Sequence, residues 1–197
     1  MKFKPKIIVF IALLVLGVTS IWVIKNYNLN LNYKVGQKVD EFNGVAVYFN
    51  GRVGHVSGRN ITEDGYNLGL KYQCVEFVKR YYYKHLNHKM PNSYGNAKSF
   101  FDTSLNDAQK NNQRGLIQYS NLSKAKPEVD DLIVFSETVF NKYGHVAIIS
   151  KVTDKEIEII QQNPGQFGPS RESFKLLNEQ EKWKIDNNRV LGWLRKE

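Results

Sequence analysis

The pattern of hydrophobic and polar residues divides the chain into an apolar N-terminal segment and a mixed domain. Residues 7–24 carry no charge, and a run of this length is close to the ~20 residues that cross a bilayer. Residues 26–40 are polar and rich in asparagine, which predicts a tether. We therefore expect a membrane anchor or signal peptide at 1–25, a tether at 26–40 and a folded domain at 41–197.

Within the folded domain, predicted helices come before most of the predicted strands. Apolar residues recur at spacings of three and four after Cys74 and predict a largely buried helix over 73–86. The segment 96–113 predicts a second, polar-faced helix, and the glycine-rich segment 50–71 predicts a long loop. Strands are predicted over 44–49, 116–119, 131–136, 144–152 and 156–163, and 189–195 closes the chain. This order favours an α+β fold with an antiparallel sheet.

The residues that flank the apolar run predict the orientation of the chain. Lys2, Lys4 and Lys6 precede it, so the positive-inside tendency places the N-terminus in the cytoplasm and the folded domain outside. A cleaved signal peptide is the alternative, because residues 18–20 resemble a weak cleavage site. The apolar core is longer than signal peptides usually have, so we expect an uncleaved single-pass anchor in the cell membrane, with a secreted form as the alternative.

The net charge of +9 indicates a basic surface that suits nucleic acid, anionic lipid or an anionic cell-wall polymer. No basic helix with interleaved aromatic residues supports a nucleic-acid partner, and the predicted orientation opposes one. One cysteine excludes an internal disulfide, and no Cys/His spacing typical of zinc is present. His85 and His88 lie three residues apart near a predicted helix end and are expected to be solvated, so we expect neither a metal nor a cofactor.

Cys74 is the strongest candidate for chemistry on the helical side of the domain. It falls in the first turn of the predicted helix, where unpaired backbone N–H groups and the helix dipole favour an anion. A thiol in that position is expected to have a lowered pKa and to react as thiolate. The alternative is that a lone cysteine is a small buried hydrophobic residue.

His145 is the matching candidate on the strand side, because it begins a predicted strand. A hairpin about Thr153 or Asp154 would place it opposite Gln161 or Asn163, which share one face of their strand. An amide in that position can orient one ring nitrogen and leave the other for a thiol. Cysteine, histidine and an orienting group form the pattern of thiol acyl-transfer enzymes. A strand-end histidine bonded to nearby backbone is the alternative.

Four motifs resemble the CHAP family, the cysteine, histidine-dependent amidohydrolases/peptidases. They are Gln73-Cys74-Val75-Glu76-Phe77, Gly144-His145-Val146-Ala147-Ile148-Ile149, Gln162-Asn163 and Leu191-Gly192-Trp193. Within that family the chain is most similar to the glutathionylspermidine amidase domains. The resemblance implies a papain-like fold, in which the helix that carries the cysteine packs on an antiparallel sheet that carries the histidine. It also implies amide hydrolysis through a thioester, and many members cut peptidoglycan.

Carried over to this sequence, the resemblance assigns a role to each motif residue. Cys74 is the nucleophile, and His145 is the general base and acid. The backbone N–H of Cys74 and the side chain of Gln73 would form the oxyanion hole. Asn163 matches an asparagine of the family, whereas Gln161 stands where the family usually has glutamate. A neutral amide orients the imidazole but cannot stabilise the imidazolium by charge.

Three further residues are candidate substrate contacts. His55 lies in the glycine-rich loop that precedes the Cys74 helix. Glu76 and Arg80 lie four residues apart on that helix, where they form either a helix-surface ion pair or part of the cleft wall.

The leading hypothesis is a membrane-anchored peptidoglycan hydrolase, either an N-acetylmuramoyl-L-alanine amidase or an endopeptidase, outside the cytoplasmic membrane. Its basic charge would attract anionic wall polymers. A glutathionylspermidine-type amidase is the second hypothesis, although the predicted topology opposes it. The third is a catalytically weak wall-binding or assembly module, which Gln161 favours and the Cys74 and His145 pair opposes.

Overall fold

The structure is a computed structural model that describes residues 5–197, apart from the side chain of Lys25. Its helices are α1 (Pro5–Asn26), α2 (Cys74–Lys84) and a 3₁₀ helix (Ala97–Phe100). The strands are β1 (Lys38–Phe42), β2 (Val45–Tyr48), β3 (Arg59–Ile61), β4 (Asn67–Leu70), β5 (Gln109–Asn111), β6 (Leu116–Ser120), β7 (Leu132–Phe135), β8 (His145–Val152), β9 (Glu156–Ile160), β10 (Arg171–Glu179), β11 (Lys182–Ile185) and β12 (Val190–Arg195). Lys2 and Lys4, on which the predicted orientation depends, lie outside the described residues.

The N-terminal helix α1 is apolar on all sides and exposes its side chains along its length. Among residues 5–197 it is the one helix that is long and apolar enough to span a membrane, over Pro5–Ile24. The apolar helix expected from the sequence is thus confirmed. A membrane span and a signal sequence share this length and composition, so the choice between them stays a prediction.

The folded domain is built on one eight-stranded sheet with the order β11-β10-β9-β8-β7-β12-β6-β5. Every neighbouring pair in it is antiparallel, and two small antiparallel pairs, β1–β2 and β3–β4, lie outside it. The predicted α+β class with an antiparallel sheet is confirmed. In this order β8 and β9 are central, so the sequence segments that contain His145 and Gln161 lie side by side.

Strand alternation divides the apolar residues between two faces of the sheet. Leu132 and Val134 of β7 belong to the cluster that contains the buried face of α2. Ile133 and Phe135 belong to a second cluster, which gathers around the fully buried Trp193. Because α2 packs on the first face, the N-terminal end of that helix is brought to the central strands.

The helix predicted over 96–113 is wrong. A single 3₁₀ turn forms at 97–100, and β5 occupies 109–111. Asp102 accepts hydrogen bonds from the backbone N–H (3.0 Å) and the hydroxyl (2.6 Å) of Ser104. Local bonds of this kind compete with helical ones and favour a turn. The side chain of Asn111 also donates to the carbonyl of Phe100 (3.0 Å), which folds the segment back on itself.

The segment 50–71 is not a loop throughout, because it contains β3 and β4. Strand β4 packs against α2, and Gly69 permits the close approach. Gly69 has a φ of +125°, and a Cβ at this position would lie 3.5 Å from the Cα of Glu76. Residues 51–58 precede these strands, are irregular and lie beside the N-terminus of α2.

The segment 26–40 was expected to be a tether, and the structure places its second half on the domain. The N–H of Gly36 donates to the carbonyl of Phe49 (2.8 Å), and the N–H of Phe49 donates to the carbonyl of Gln37 (2.9 Å). Strand β1 begins at the next residue, Lys38. These bonds join the segment to the end of β2.

Candidate active site

A strained turn positions the thiol at the start of α2. Cys74 is the first residue of the helix, and Gln73 before it is extended, with φ −86° and ψ 158°. Tyr72 adopts a φ of +67°, which is rare for a bulky side chain. The Tyr72 ring packs against the ring of Tyr48, with 5.5 Å between centroids. Backbone strain of this kind is concentrated at functional sites, and here it precedes the only cysteine by two residues.

The Cys74 thiol is partly buried and lies close to the start of β8. Burial raises its pKa, whereas hydrogen bonding from the backbone N–H groups of Val146, Val75 and Cys74 itself lowers it. The lowered thiol pKa expected from the helix N-terminus is therefore wrong, since desolvation outweighs the favourable N–H groups. The bond from Val146 places the sulfur next to the residue that follows His145.

His145 is held at the first position of β8 by a ring contact and a hydrogen bond. Its ring packs against that of Phe135, with 6.0 Å between centroids. Its Nε2 lies 2.9 Å from Oε1 of Gln161, whose amide nitrogen donates to the carbonyl of Pro169 (3.2 Å). Because that donation turns Oε1 toward the ring, Nε2–H is the donor and the neutral ring keeps its lone pair on Nδ1.

Gly144 explains how the chain reaches this strand start. It has a φ of +74°, and a Cβ there would lie 2.6 Å from the carbonyl oxygen of Phe135. No larger residue fits without moving the backbone that pairs β7 with the start of β8. Glycine at position 144 therefore lets the chain enter β8 at His145, directly opposite the end of β7.

Burial and charge both keep the His145 imidazole neutral. Burial lowers its pKa to about 4, the Gln161 hydrogen bond opposes that shift, and the charge of Arg189 adds to it. Together with the raised pKa of Cys74, this makes a neutral thiol and a neutral imidazole the resting state near neutral pH. The site is thus prepared for proton transfer during attack rather than holding a thiolate–imidazolium pair beforehand.

Asn163 and Gln73 bond to each other and to the 51–58 loop rather than to the imidazole. Nδ2 of Asn163 donates to Oε1 of Gln73 (2.7 Å) and to the carbonyl of Val53 (2.9 Å). Nε2 of Gln73 donates to the carbonyls of His55 (2.7 Å) and Val53 (3.1 Å). The loop that carries His55 therefore closes beside the N-terminus of α2. The Gln73 amide is engaged in this state, which leaves backbone N–H groups as the available oxyanion donors.

Glu76 and Arg80 form the predicted ion pair, but the pair is buried and not on the helix surface as expected. The two residues are 2% and 5% exposed, and Nε of Arg80 lies 2.6 Å from Oε1 of Glu76. Both are bonded to the wholly buried Gln162. A pair enclosed in this way is unsuited to the substrate contact expected from the sequence. Through Gln162 the pair connects the helix to the end of β9.

Gln162 contacts several residues of the candidate site, although the sequence assigned no role to it. Its Nε2 donates to the carbonyl of Gln73 (3.0 Å) and to Oε2 of Glu76 (2.9 Å). Its Oε1 accepts from the N–H of Tyr48 (2.8 Å) and from Nη2 of Arg80 (3.3 Å). The sequence did offer a signal for it. Gln162 lies between the candidates Gln161 and Asn163, and strand alternation places its side chain on the opposite face from theirs. Gln162 joins the end of β9 to β2 and to the residue before Cys74.

The fold and this cluster define an α+β domain with a thiol at a helix N-terminus, beside the strand that carries a partly buried imidazole. A family model described as "CHAP domain" matches residues 63–163, just over half of the chain. The chain therefore belongs to the CHAP domain family of amidohydrolases and peptidases, which confirms the resemblance read from the motifs. The match includes Cys74, His145, Gln161 and Asn163.

Two curated relatives come from Crithidia fasciculata. Trypanothione synthetase is 31% identical over 119 residues, which cover 60% of this chain and 18% of the relative. Glutathionylspermidine synthase is 28% identical over 148 residues, which cover 64% of this chain and 19% of the relative. The aligned part of the chain thus spans less than a fifth of the length of either relative.

Among solved structures, the chain is similar to that described as "The crystal structure of Ly7917". The identity is 16% and the TM-score 0.39, over 64% of this chain and 53% of the other. A second structure of Ly7917, with "the hydrolyzing product of MDP", matches at 22% identity and a TM-score of 0.27, over 38% and 30% of the two chains.

Proposed function

We propose that the protein hydrolyses an amide bond of peptidoglycan on the outer side of the membrane to which α1 attaches it. The observation that carries this proposal is the meeting of Cys74 with the start of β8, where Gln161 fixes His145. Membership of the CHAP family supports amide hydrolysis. The wall substrate rests on α1 and on the basic charge of the chain.

In the proposed reaction, the Cys74 sulfur attacks the substrate carbonyl while Nδ1 of His145 takes the thiol proton. The backbone N–H groups of Cys74 and Val75 at the helix N-terminus stabilise the oxyanion. His145 then gives the proton to the leaving nitrogen, the C–N bond breaks, and a thioester remains on Cys74. Water attacks the thioester with His145 as base, which releases the carboxylic acid and restores the thiol.

Gln161 serves this cycle as a positioning residue. By holding Nε2–H it keeps Nδ1 free to accept the thiol proton, which is the tautomer that the first step needs. A neutral partner does not stabilise the imidazolium by charge. The thiol proton therefore moves to His145 only as the sulfur attacks the carbonyl. We expect lower reactivity toward simple alkylating agents than in an enzyme with a preformed ion pair.

A second candidate substrate is a glutathionylspermidine-type amide, which the two curated relatives favour. The relatives are more than five times longer than the aligned part, however. The apolar helix α1 favours the wall substrate, because the proposed topology places the domain outside the cytoplasm.

A digestion tests the proposal. The full chain, held in detergent, is incubated with purified peptidoglycan of several stem-peptide types and, in parallel, with glutathionylspermidine. Mass spectrometry then reads the new amine and carboxyl ends. We expect ends from peptidoglycan, and the identity of the new amine separates a muramoyl–alanine amidase from an endopeptidase.

The matched controls are Cys74→Ala, which removes the nucleophile, and Cys74→Ser, which keeps a hydroxyl in its place. Both are expected to fold and to release no ends above background. Release from glutathionylspermidine alone would establish the second candidate. Binding to the wall without release from any substrate would contradict hydrolysis and favour a wall-binding module.

A further inference from the structure

The chain that follows α1 is fastened to the folded domain by one glutamine. Nε2 of Gln166 donates to the carbonyls of Ile24 (2.8 Å) and Tyr27 (3.1 Å) at the end of the helix. Its Oε1 accepts from the N–H of Leu29 (2.6 Å), and its backbone carbonyl accepts from Nδ2 of Asn30 (2.6 Å). Gln166 and Asn30 are only 6% and 7% exposed. Four bonds to one buried side chain and its carbonyl make this junction a fixed joint rather than a flexible linker.

A second set of contacts continues the joint toward β1. Gly51 lies so close to the segment that a Cβ would be 3.1 Å from Cγ2 of Val35 and 3.7 Å from Cβ of Asn28. The ring of Tyr33 lies 5.5 Å from that of Phe49. The chain from 24 to 37 is thus held along its length, and α1 cannot swing independently of the domain without breaking these contacts.

Exposed apolar side chains surround the joint. They are Tyr27 (54% exposed), Leu29 (43%), Leu31 (91%) and Phe167 (70%), and we call them the helix-end face. All four belong to the two segments that Gln166 brings together. Fully burying a leucine or phenylalanine contributes about 1.5–3 kcal/mol, so such a group of exposed side chains is unfavourable in water. Tyrosine is enriched where membranes meet water.

The joint also lies near the candidate active site. Gln166 follows Gln161 by five residues, and an extended chain of that length spans at most about 18 Å. Gln161 bonds to His145, and Gln166 bonds to the carbonyl of Ile24. The imidazole is therefore within about 35 Å of the end of the apolar helix, since each glutamine side chain and its hydrogen bond together add at most about 8 Å.

From these observations we propose that the helix-end face rests in the headgroup layer of the membrane that α1 crosses. This deepens the proposed function and rests on the membrane attachment proposed there. The occupant of the face is the lipid surface, because the face is continuous with a helix whose apolar side chains require lipid. The rigid joint then holds the active site at one height and orientation, so that the enzyme cuts amides in the wall layer nearest the membrane.

A depth measurement on the full chain tests this inference. Cys74 is the only cysteine, so Cys74→Ala gives a background in which single cysteines can be labelled. A bimane label is placed at Phe167→Cys or at Asp154→Cys, whose native side chain is 92% exposed. Asp154 follows the far end of the eight-residue strand β8, about 25 Å from His145. The proteins are reconstituted in phosphatidylcholine vesicles with a minor share of phosphatidylglycerol, with and without a lipid-borne quencher.

We expect the label at 167 to be quenched several-fold more than the label at 154. Adding Gln166→Ala is expected to reduce quenching at 167 toward that at 154 while the protein still sediments with the vesicles. Equal quenching at the two positions in the parent background overturns the inference, even if Gln166→Ala fails to fold. Failure to sediment with vesicles overturns it as well.

These readouts use catalytically inactive protein and no wall substrate. A failure of the depth measurement is therefore separate from a failure of the proposed hydrolysis. The digestion experiment tests the hydrolysis.

Discussion

Replacing Gln161 by glutamate puts a negative charge where the structure has a neutral amide. Oε1 of Gln161 lies 2.9 Å from Nε2 of His145, so the carboxylate of Gln161→Glu would face the ring directly. The wild-type imidazole has a pKa of about 4 because burial disfavours its charged form. The substitution supplies the charge partner that a buried imidazolium lacks.

An opposite charge at this distance raises the pKa of a basic group by about 1–3 units. Each unit corresponds to about 1.4 kcal/mol, so the imidazolium gains roughly 1.4–4 kcal/mol. Two features of the structure act against the gain. A carboxylate cannot donate to the carbonyl of Pro169, and Glu172 lies 3.5 Å from the Gln161 amide nitrogen. Glu172 would repel the new carboxylate, although its own negative charge also favours the imidazolium.

Histidine-selective NMR titration of the full chain in nanodiscs measures the effect. We expect the pKa of His145 to rise from about 4 to about 5–7 in Gln161→Glu. Gln161→Leu, which offers neither acceptor nor charge, should lower it. The pKa falls in Gln161→Leu because leucine offers no acceptor at Nε2 to stabilise the protonated ring. An unchanged or lower pKa in Gln161→Glu would refute the stated reason for the neutral resting state.

Three further predictions concern the helix, the strand start and the thiol. Arg80→Met leaves a buried carboxylate unpaired and should lower the free energy of unfolding by about 3–5 kcal/mol in a denaturant titration, whereas Lys38→Met at an exposed pair should cost under about 1 kcal/mol. Similar losses would contradict the buried network. Gly144→Ala should reduce both the unfolding free energy and kcat/KM far more than Gly44→Ala, because the two share a φ near +75° and only the first meets backbone. Equal losses in the two variants would mean that the positive φ, and not the contact with backbone, causes the loss. Alkylation of Cys74 by iodoacetamide should be slow near neutral pH and keep rising above the pKa of an ordinary thiol, because burial raises its pKa; a plateau near neutral pH would show a preformed thiolate.

The sequence predicted the parts of the fold that depend on local pattern. The apolar run gave α1, and the alternation in 144–152 and 156–163 placed β8 beside β9. It left open whether Gln161 or Asn163 supports His145, because that depends on the register where β9 ends. In the structure Gln161 makes the bond, and Asn163, at a φ of +58°, turns toward Gln73.

The errors came from effects that only the packed structure contains. A helix N-terminus predicts a lowered thiol pKa, but burial acts in the opposite direction and outweighs it at Cys74. Spacing predicts that Glu76 and Arg80 meet, but it does not say that the pair is buried and bonded to Gln162. The predicted helix over 96–113 failed because Asp102 forms a local turn that apolar periodicity does not reveal.

The most direct test of the central claim is to find the acyl-enzyme. The full chain is mixed with peptidoglycan fragments, quenched in acid within the turnover time, and analysed by intact-mass and peptide mass spectrometry. We expect an adduct on Cys74 whose mass equals the acyl part of the cleaved fragment, which hydroxylamine removes and which Cys74→Ala lacks. Release of the same products by Cys74→Ala, with no adduct on the wild-type protein, would contradict the account.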